Sequence, residues 1–341
     1  MNINPADVAT AFMSLLLEGL PFIFLGTLIS GFIDAYLPPW AMERLLPKRR
    51  WMAIFASGFL GILFPVCECA IVPVIGRLIR KGLPISCAVT YMLAAPIINP
   101  ITAASTMIGF SGQPGQDVPL GLPSEALDYH PIFVTGSRLL IAYMVCVTVG
   151  LVIQRLSAGA LMKPAVLAGI KANAHGRDSG AGQSIFGSIR QSLRERARLV
   201  LAFRTAMKDS VDTGMYFTIG AALTAIFNTS SIQGSLSGFM SGHIIIAVAT
   251  MMLLAFILSL CSTSDAFVAA TLRVAFPSQA FEYGAKLGFL VFGPMVDVKL
   301  LFMYASIFRA KFVWILVCSL FLMIGAICSL WSLIPVEKLP F

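Results

Sequence analysis

WMAIFASGFLGILFPVCECAIVPVIGRLIRK, residues 51–81, reads as two apolar runs joined by a Cys-Glu-Cys tripeptide lying between Pro65 and Pro73. Both outer ends are basic: Lys48, Arg49 and Arg50 precede the stretch, and Arg77, Arg80 and Lys81 close it. At a rise of about 1.5 Å per residue, the pieces 52–66 and 70–80 reach only about 22 and 16 Å, short of the roughly 30 Å hydrocarbon core of a bilayer. Helices too short to cross, with like charge at both outer ends, predict a re-entrant hairpin that enters and leaves on one side. Cys67, Glu68 and Cys69 then lie near its tip.

The rest of the chain supports a membrane setting. Of its 341 residues 58% are hydrophobic and 12% charged, and windows such as HIIIAVATMMLLAFILSL (243–260) have no polar face. Apolar windows of about 20 residues imply helices, not barrel strands. The expected segments are 8–33, 52–66, 70–80, 85–110, 131–154, 206–227, 243–260, 265–276, 285–308 and 312–334. Asp7 and Glu18 fall where a secretory signal would be apolar, so the first segment reads as a retained helix. The seven cysteines (67, 69, 87, 146, 261, 318 and 328) are scattered through apolar stretches, which implies no disulfide framework.

The net charge of +8 is localised, because residues 155–208 hold ten Lys/Arg against Asp178 and Glu195. That is an orientation signal and not a nucleic-acid footprint. The loop 34–51, the hairpin ends and 155–205 are basic, whereas 111–130 and 228–242 contain no Lys or Arg. The positive-inside rule therefore puts both termini outside, with Arg138, Arg273 and Lys286 as misfits. Residues 155–205 read as a cytoplasmic linker between halves 1–154 and 206–341. Within it, 184–204 carries Ile185, Ile189, Leu193 and Val200 along one stripe with arginines elsewhere, the pattern of an interfacial helix in contact with membrane lipid.

The halves echo each other. Glu18 lies 49 residues before Cys67 as Asp212 lies 49 before Cys261, and Gly26 and Gly220 each follow their acid by eight. AAPIINP (94–100) is matched by FGPMVDV (292–298), aligning Pro96 and Asn99 with Pro294 and Asp297. With opposite starting sides, this predicts an all-α polytopic membrane protein of 8–10 hydrophobic segments built as an inverted repeat. Each half has about three crossing helices plus a re-entrant hairpin, CSTSDAF (261–267) forming the second tip.

An ionisable group at membrane depth costs about 2.5–3.5 kcal/mol and tends to line a protein contact or a watery path. Glu18, Glu68, Asp212, Asp265, Asp297 and Lys299 are such groups. Pro96 and Pro100 bracket Asn99, and Pro294 precedes Asp297, so backbone groups are freed at both places to meet a substrate or be satisfied by a neighbouring helix. Cys67 and Cys69 could touch a soft ion transiently, or be small residues that allow close packing. No permanent metal site is expected, since His130 and His175 fall in loops and His243 starts a helix. Glu68 could exchange a proton with water as its tip is alternately exposed, and Glu18, Asp212, Asp265 and Asp297 share that logic. Lys299 is the expected counter-charge, but at i+2 from Asp297 it would not share a helical face with it, which leaves an acid on another element as the alternative partner.

FPVCECAIVPVIGRLIRKGLPISCAVTYMLAAPIINP (64–100), with CSTSDAFVAA (261–270) and GPMVDVK (293–299), resembles the bacterial predicted-permease family that includes the ArsP organoarsenical efflux permeases. The resemblance implies an inner-membrane permease, with export of trivalent organoarsenicals known for some members. It carries over Cys67, Glu68, Cys69, Pro96, Asn99 and Pro100 in the first half, and Cys261, Asp265, Pro294, Asp297 and Lys299 in the second.

The reading is therefore a secondary-transporter-type permease for a small molecule or ion, exporting by alternating access with carboxylate protonation as the coupling device. No Walker-type phosphate-binding motif is present and no cofactor is called for. A channel is the alternative. An intramembrane thiol enzyme is less favoured, because no Ser/His or HExxH arrangement accompanies Cys67 and Glu68. Oligomeric state is left open.

Overall fold

The computed structural model describes residues 5–36, 47, 49–63, 68–111, 130–156, 161–164, 196–229, 244–271 and 279–331. Cys67, Arg273, His175, His243, residues 112–129 and residues 165–195 lie outside them, and with the last of these most of the interfacial stripe expected over 184–204. Among the described residues the chain is all-helical, with one isolated bridge between Met162 and Phe308. The first half comprises α1 (Pro5–Tyr36), α2 (Arg50–Leu63), α3 (Glu68–Arg80), α4 (Ile85–Ala94), α5 (Pro100–Phe110) and α6 (His130–Ile153). The second comprises α7 (Arg196–Thr229), α8 (Ile244–Leu258), α9 (Asp265–Thr271), α10 (Gln279–Met295), α11 (Val298–Ile307) and α12 (Ala310–Trp331).

Among the described residues four stretches are long and apolar enough to cross a membrane: Val8–Ile33, Pro131–Ile153, Tyr283–Ile307 and Ala310–Trp331. Between them come short apolar helices, α2, α4 and α8. The expected segments 85–110 and 285–308 are each split in two, as their prolines require. His130, assigned to a loop from sequence, is the first residue of α6; Pro131 follows it at a helix start, where a missing N–H costs nothing. The helix beginning at Arg196 runs unbroken into the segment expected from 206, because no Gly or Pro interrupts 196–213.

The core is a layered packing of these helices. α2 lies on α4 and α6 as α8 lies on α10 and α12, and α4 packs on α6 as α10 packs on α12. α3 touches α11 much as α9 touches α5. The largest contact is between α1 and α7, which run antiparallel: Gly19 meets the Phe217 ring at one level and Gly31 meets Ala202 and Ala206 at another. Close seats recur at the two glycines of the sequence echo. A methyl at Gly26 would strike the backbone of Ala70 on α3, and one at Gly220 would come within 2.8 Å of Lys299 Cα on α11.

One end of this arrangement is pinned by polar contacts. Arg77 of α3 donates to both carboxylate oxygens of Asp209 on α7, at 3.0 and 2.7 Å. Ser30 of α1 donates to the Pro73 carbonyl at 3.3 Å and lies 3.4 Å from Asp209 Oδ2.

Candidate functional site

The two interrupted helices are built alike. Asn99 is the N-cap of α5 and Asp297 the N-cap of α11, both with extended backbone. Asn99 Oδ1 accepts from Ile101 N at 2.7 Å, and Asp297 Oδ1 accepts from Leu300 N at 2.6 Å. Each side chain thus takes an N–H that the new helix start leaves without a carbonyl. The carbonyls before the breaks are also taken, Pro96 by the Thr102 hydroxyl at 2.9 Å and Met295 by the Tyr304 hydroxyl at 3.0 Å. Pro96 is buried beside the first break, Pro100 opens α5, and Pro294 lies in the last turn of α10. All three act through the backbone.

Lys299 Nζ lies 3.7 Å from Asp297 Oδ2 and 5.9 Å from the centre of the Phe217 ring. The i+2 spacing does not prevent this pairing, because Asp297 is an extended cap residue outside the helix, which lets its carboxylate fold back toward a residue two positions on.

Lys299 borders a pocket of about 270 Å³, mouth included, lined by Leu15, Glu18, Gly19, Phe22, Glu68, Cys69, Phe217, Cys261 and Lys299. Residues from α1, α3, α7, α11 and the loop before α9 therefore meet at one point. Glu68 is the first residue of α3, a position where the helix dipole favours an anion. It is 1% exposed, and its Oε2 has no hydrogen-bond partner among the described residues. Glu68 and Cys69 share this lining with Cys261 of the second expected tip and with Lys299 of α11, so the two expected tips and the second helix break lie near one another. Glu18 is exposed at the mouth. Cys69 and Cys261 are thiols outside any disulfide, and no group of three or more His, Cys, Asp or Glu among the described residues could hold a metal ion.

Asp265 lies apart from the pocket lining, in a second buried cluster. Arg138 of α6 donates to Asp265 Oδ2 at 2.5 Å, to the Thr106 hydroxyl at 2.7 Å and to the Ser262 carbonyl at 3.4 Å. Both charged side chains are at most 2% exposed. The Thr106 hydroxyl donates in turn to the Thr102 carbonyl at 2.7 Å, and Thr102 bonds Pro96, so the pair is tied to the first helix break. Arg138, which the sequence offers only as a misfit of the orientation rule, is thus a buried partner of Asp265.

Of the residues singled out from sequence, Glu18, Glu68, Cys69, Cys261 and Lys299 converge on the pocket, with Asp297 against Lys299. Asp212 is exposed on α7, outside the lining. Besides Arg138, sequence reasoning missed Phe217, which closes the pocket and supports Lys299, and Ser259. Ser259 adopts φ 48°, unusual for a side-chain-bearing residue, and its hydroxyl accepts from Val298 N at 3.2 Å, joining the loop before α9 to the start of α11.

Broken helices around a pocket that holds buried polar groups are an architecture found among solute-handling membrane proteins. Comparison with known sequences gives the family. The sequence model described as ArsP_1, predicted permease, matches residues 6–116 and 129–334, and the chain belongs to this family. It is 32% identical over 307 residues to "UPF0718 protein YcgR" of Bacillus subtilis (strain 168), covering 90% of each chain. It is 32% identical over 306 residues to "Putative two-component membrane permease complex subunit" of Streptococcus mutans serotype c, covering 89% of this chain and 87% of that one. No solved structure matches. The protein is a multi-pass membrane protein of a permease family, and the family names point to a transporter of a small molecule or ion rather than an enzyme.

Proposed function

We propose that the chain is a secondary-transporter-type permease whose cargo passes through the pocket at Glu68, and that it works by alternating access of two inverted halves. The observation that carries this reading is Glu68 itself, a buried carboxyl with an unpartnered oxygen where both halves meet in a pocket. A group left unsatisfied at that cost belongs to a site filled by a proton or a cargo in the working cycle. The antiparallel α1 and α7, the matching caps at Asn99 and Asp297 and the corresponding packing of α2, α4, α6 and α8, α10, α12 support an inverted repeat of 1–154 and 206–341 joined by a basic linker; its re-entrant tips are Cys67-Glu68-Cys69 and 261–267.

Export from the bacterial cytoplasm across the inner membrane, both termini outside, completes the proposal. Glu68 is its coupling group and Cys69, Cys261 and Cys67 its contacts for a thiophilic metalloid or metal cargo. The Streptococcus relative's name further suggests a second component as partner.

The test begins with growth of a deletion strain and its complement across a panel of toxic metalloids and metals. A cargo found there is then followed in proteoliposomes with and without a pH gradient. Flux that requires the gradient and is lost in Glu68→Gln supports the proposal. Flux indifferent to both removes proton coupling, and flux that does not saturate favours a channel. Identical growth profiles for wild type and Cys69→Ser/Cys261→Ser remove the thiol contact.

A further inference from the structure

Most of the pocket volume is open mouth, and the enclosed part beside Glu68 has room for about one water molecule. Nothing larger fits there unless the walls part. Gly19 of α1 packs on the Phe217 ring of α7, which shuts the gap between these helices at this level. Lys299, whose Nζ lies 5.9 Å from the centre of the same ring, forms part of the wall.

The polar groups around this space are mismatched in a particular way. Glu68 is 1% exposed, and its Oε2 accepts no hydrogen bond among the described residues. Lys299 is 4% exposed, and at 3.7 Å its Nζ is beyond hydrogen-bond reach of Asp297 Oδ2, the oxygen with which it forms an ion pair. A carboxylate oxygen can only accept and an ammonium can only donate. A cation placed between them would be repelled by Lys299, and an anion by Glu68. A neutral molecule that accepts on one side and donates on the other answers both, and water has that chemistry and that size. Buried waters characteristically sit where such groups would otherwise go unsatisfied. Cys69 and Cys261 complete the wall, and their sulfurs are weak partners that compete little for it.

We infer that this cavity binds one water molecule, which accepts from Lys299 Nζ and donates to Glu68 Oε2. Lys299 then serves two acids, Asp297 by charge at 3.7 Å and Glu68 through the water, and the bridge joins the start of α3 to the start of α11. This rests on Glu68 belonging to the transport site proposed above and adds what fills that site while its walls are closed. When Glu68 is protonated, its hydroxyl donates to the same water, which then accepts from both sides. A proton can therefore come and go at Glu68 without emptying the cavity, whereas a cargo has to displace the water.

A structure of the purified full chain at a resolution that shows ordered water provides the test. The expected result is a single peak within about 3.2 Å of both Glu68 Oε2 and Lys299 Nζ. In Glu68→Leu, which removes the acceptor, its occupancy should fall severalfold, because a buried water needs two to four polar partners. Lys299→Met, which removes the donor, should do the same and decides the matter if Glu68→Leu does not fold. An empty cavity, a direct Lys299–Glu68 ion pair, a peak bonded to neither group, or a peak that survives both substitutions overturns the inference. Proteoliposome flux separates this reading from the one beneath it. Gradient-driven flux that needs Glu68, alongside a cavity without the water, removes the bridge and leaves the transport reading standing. The water in place alongside flux indifferent to Glu68 does the reverse.

Discussion

Glu68 and Asp265 occupy the same kind of position, the first residue of the short helix that follows each expected tip, and their surroundings differ sharply. Asp265 is met by the Arg138 guanidinium, which also binds Thr106 and the Ser262 carbonyl, so its charge serves to hold α6 of one half to α9 of the other. Glu68 is equally buried, yet it lines a pocket and its Oε2 meets no donor among the described residues. The difference separates two buried acids at comparable places in the chain: a paired one fixes α6 to α9, and the other keeps an oxygen without a donor inside a pocket.

The largest effect should come from breaking the closed pair. Asp265→Ala leaves Arg138 buried without a counter-charge and is expected to cost about 3–5 kcal/mol, seen as a collapse of thermal stability in detergent. The double variant Arg138→Met/Asp265→Leu should recover most of it, and failure to recover would show that the pair does more than neutralise itself.

Next come the close seats. Gly220→Val pushes into Lys299 Cα and Gly26→Val into Ala70, and overpacking of this kind costs about 1–3 kcal/mol. Gly136 and Gly214 have open space for a Cβ, so Ala at either should differ from wild type only slightly in the same melting assay.

The caps give a smaller effect and a direct test of the two halves against each other. Asn99→Ala should lose about 1 kcal/mol, the usual worth of an N-cap. Asp297→Ala should lose more, because Lys299 then has no anion at 3.7 Å; equal losses in the two variants would mean that the ion pair contributes nothing measurable.

The smallest stability change belongs to Glu68→Gln. No hydrogen bond to Oε2 is lost, so the melting temperature should stay close to that of the wild type while flux disappears. A large drop in stability would show that Glu68 is a structural acid like Asp265.

Prolines and spacing made part of this architecture legible in advance. Pro96, Pro100 and Pro294 cannot continue an ordinary helix, so the splits before Asn99 and Asp297 are readable from sequence, and the candidates Glu68, Cys69, Cys261 and Lys299 meet at one pocket. Partners across the fold are harder to read. Arg138 registers in the sequence only as a topology marker, although an arginine eight residues into α6 calls for a buried acid elsewhere, and Asp265 supplies it. Asp209 stands beside Lys208 in a short charged run, and nothing in the order of residues sets it against Arg77, 132 positions away; only the fold brings the two together. The Lys299 pairing escapes a helical-face rule because that rule does not extend across a residue that is a cap.

The Arg77–Asp209 contact, with Ser30 beside it, fastens α1, α3 and α7 together at a place nine residues along α3 from Glu68. That distance is a lever arm of about 13 Å. A tilt of α3 by about 10° around this fulcrum would sweep the carboxyl at its far end through about 2 Å, comparable with the small helix shifts by which packed proteins switch state. Because Ser30 also holds the Pro73 carbonyl and Gly26 seats Ala70 nearer that end, any such swing would have to carry α1 along with the tip.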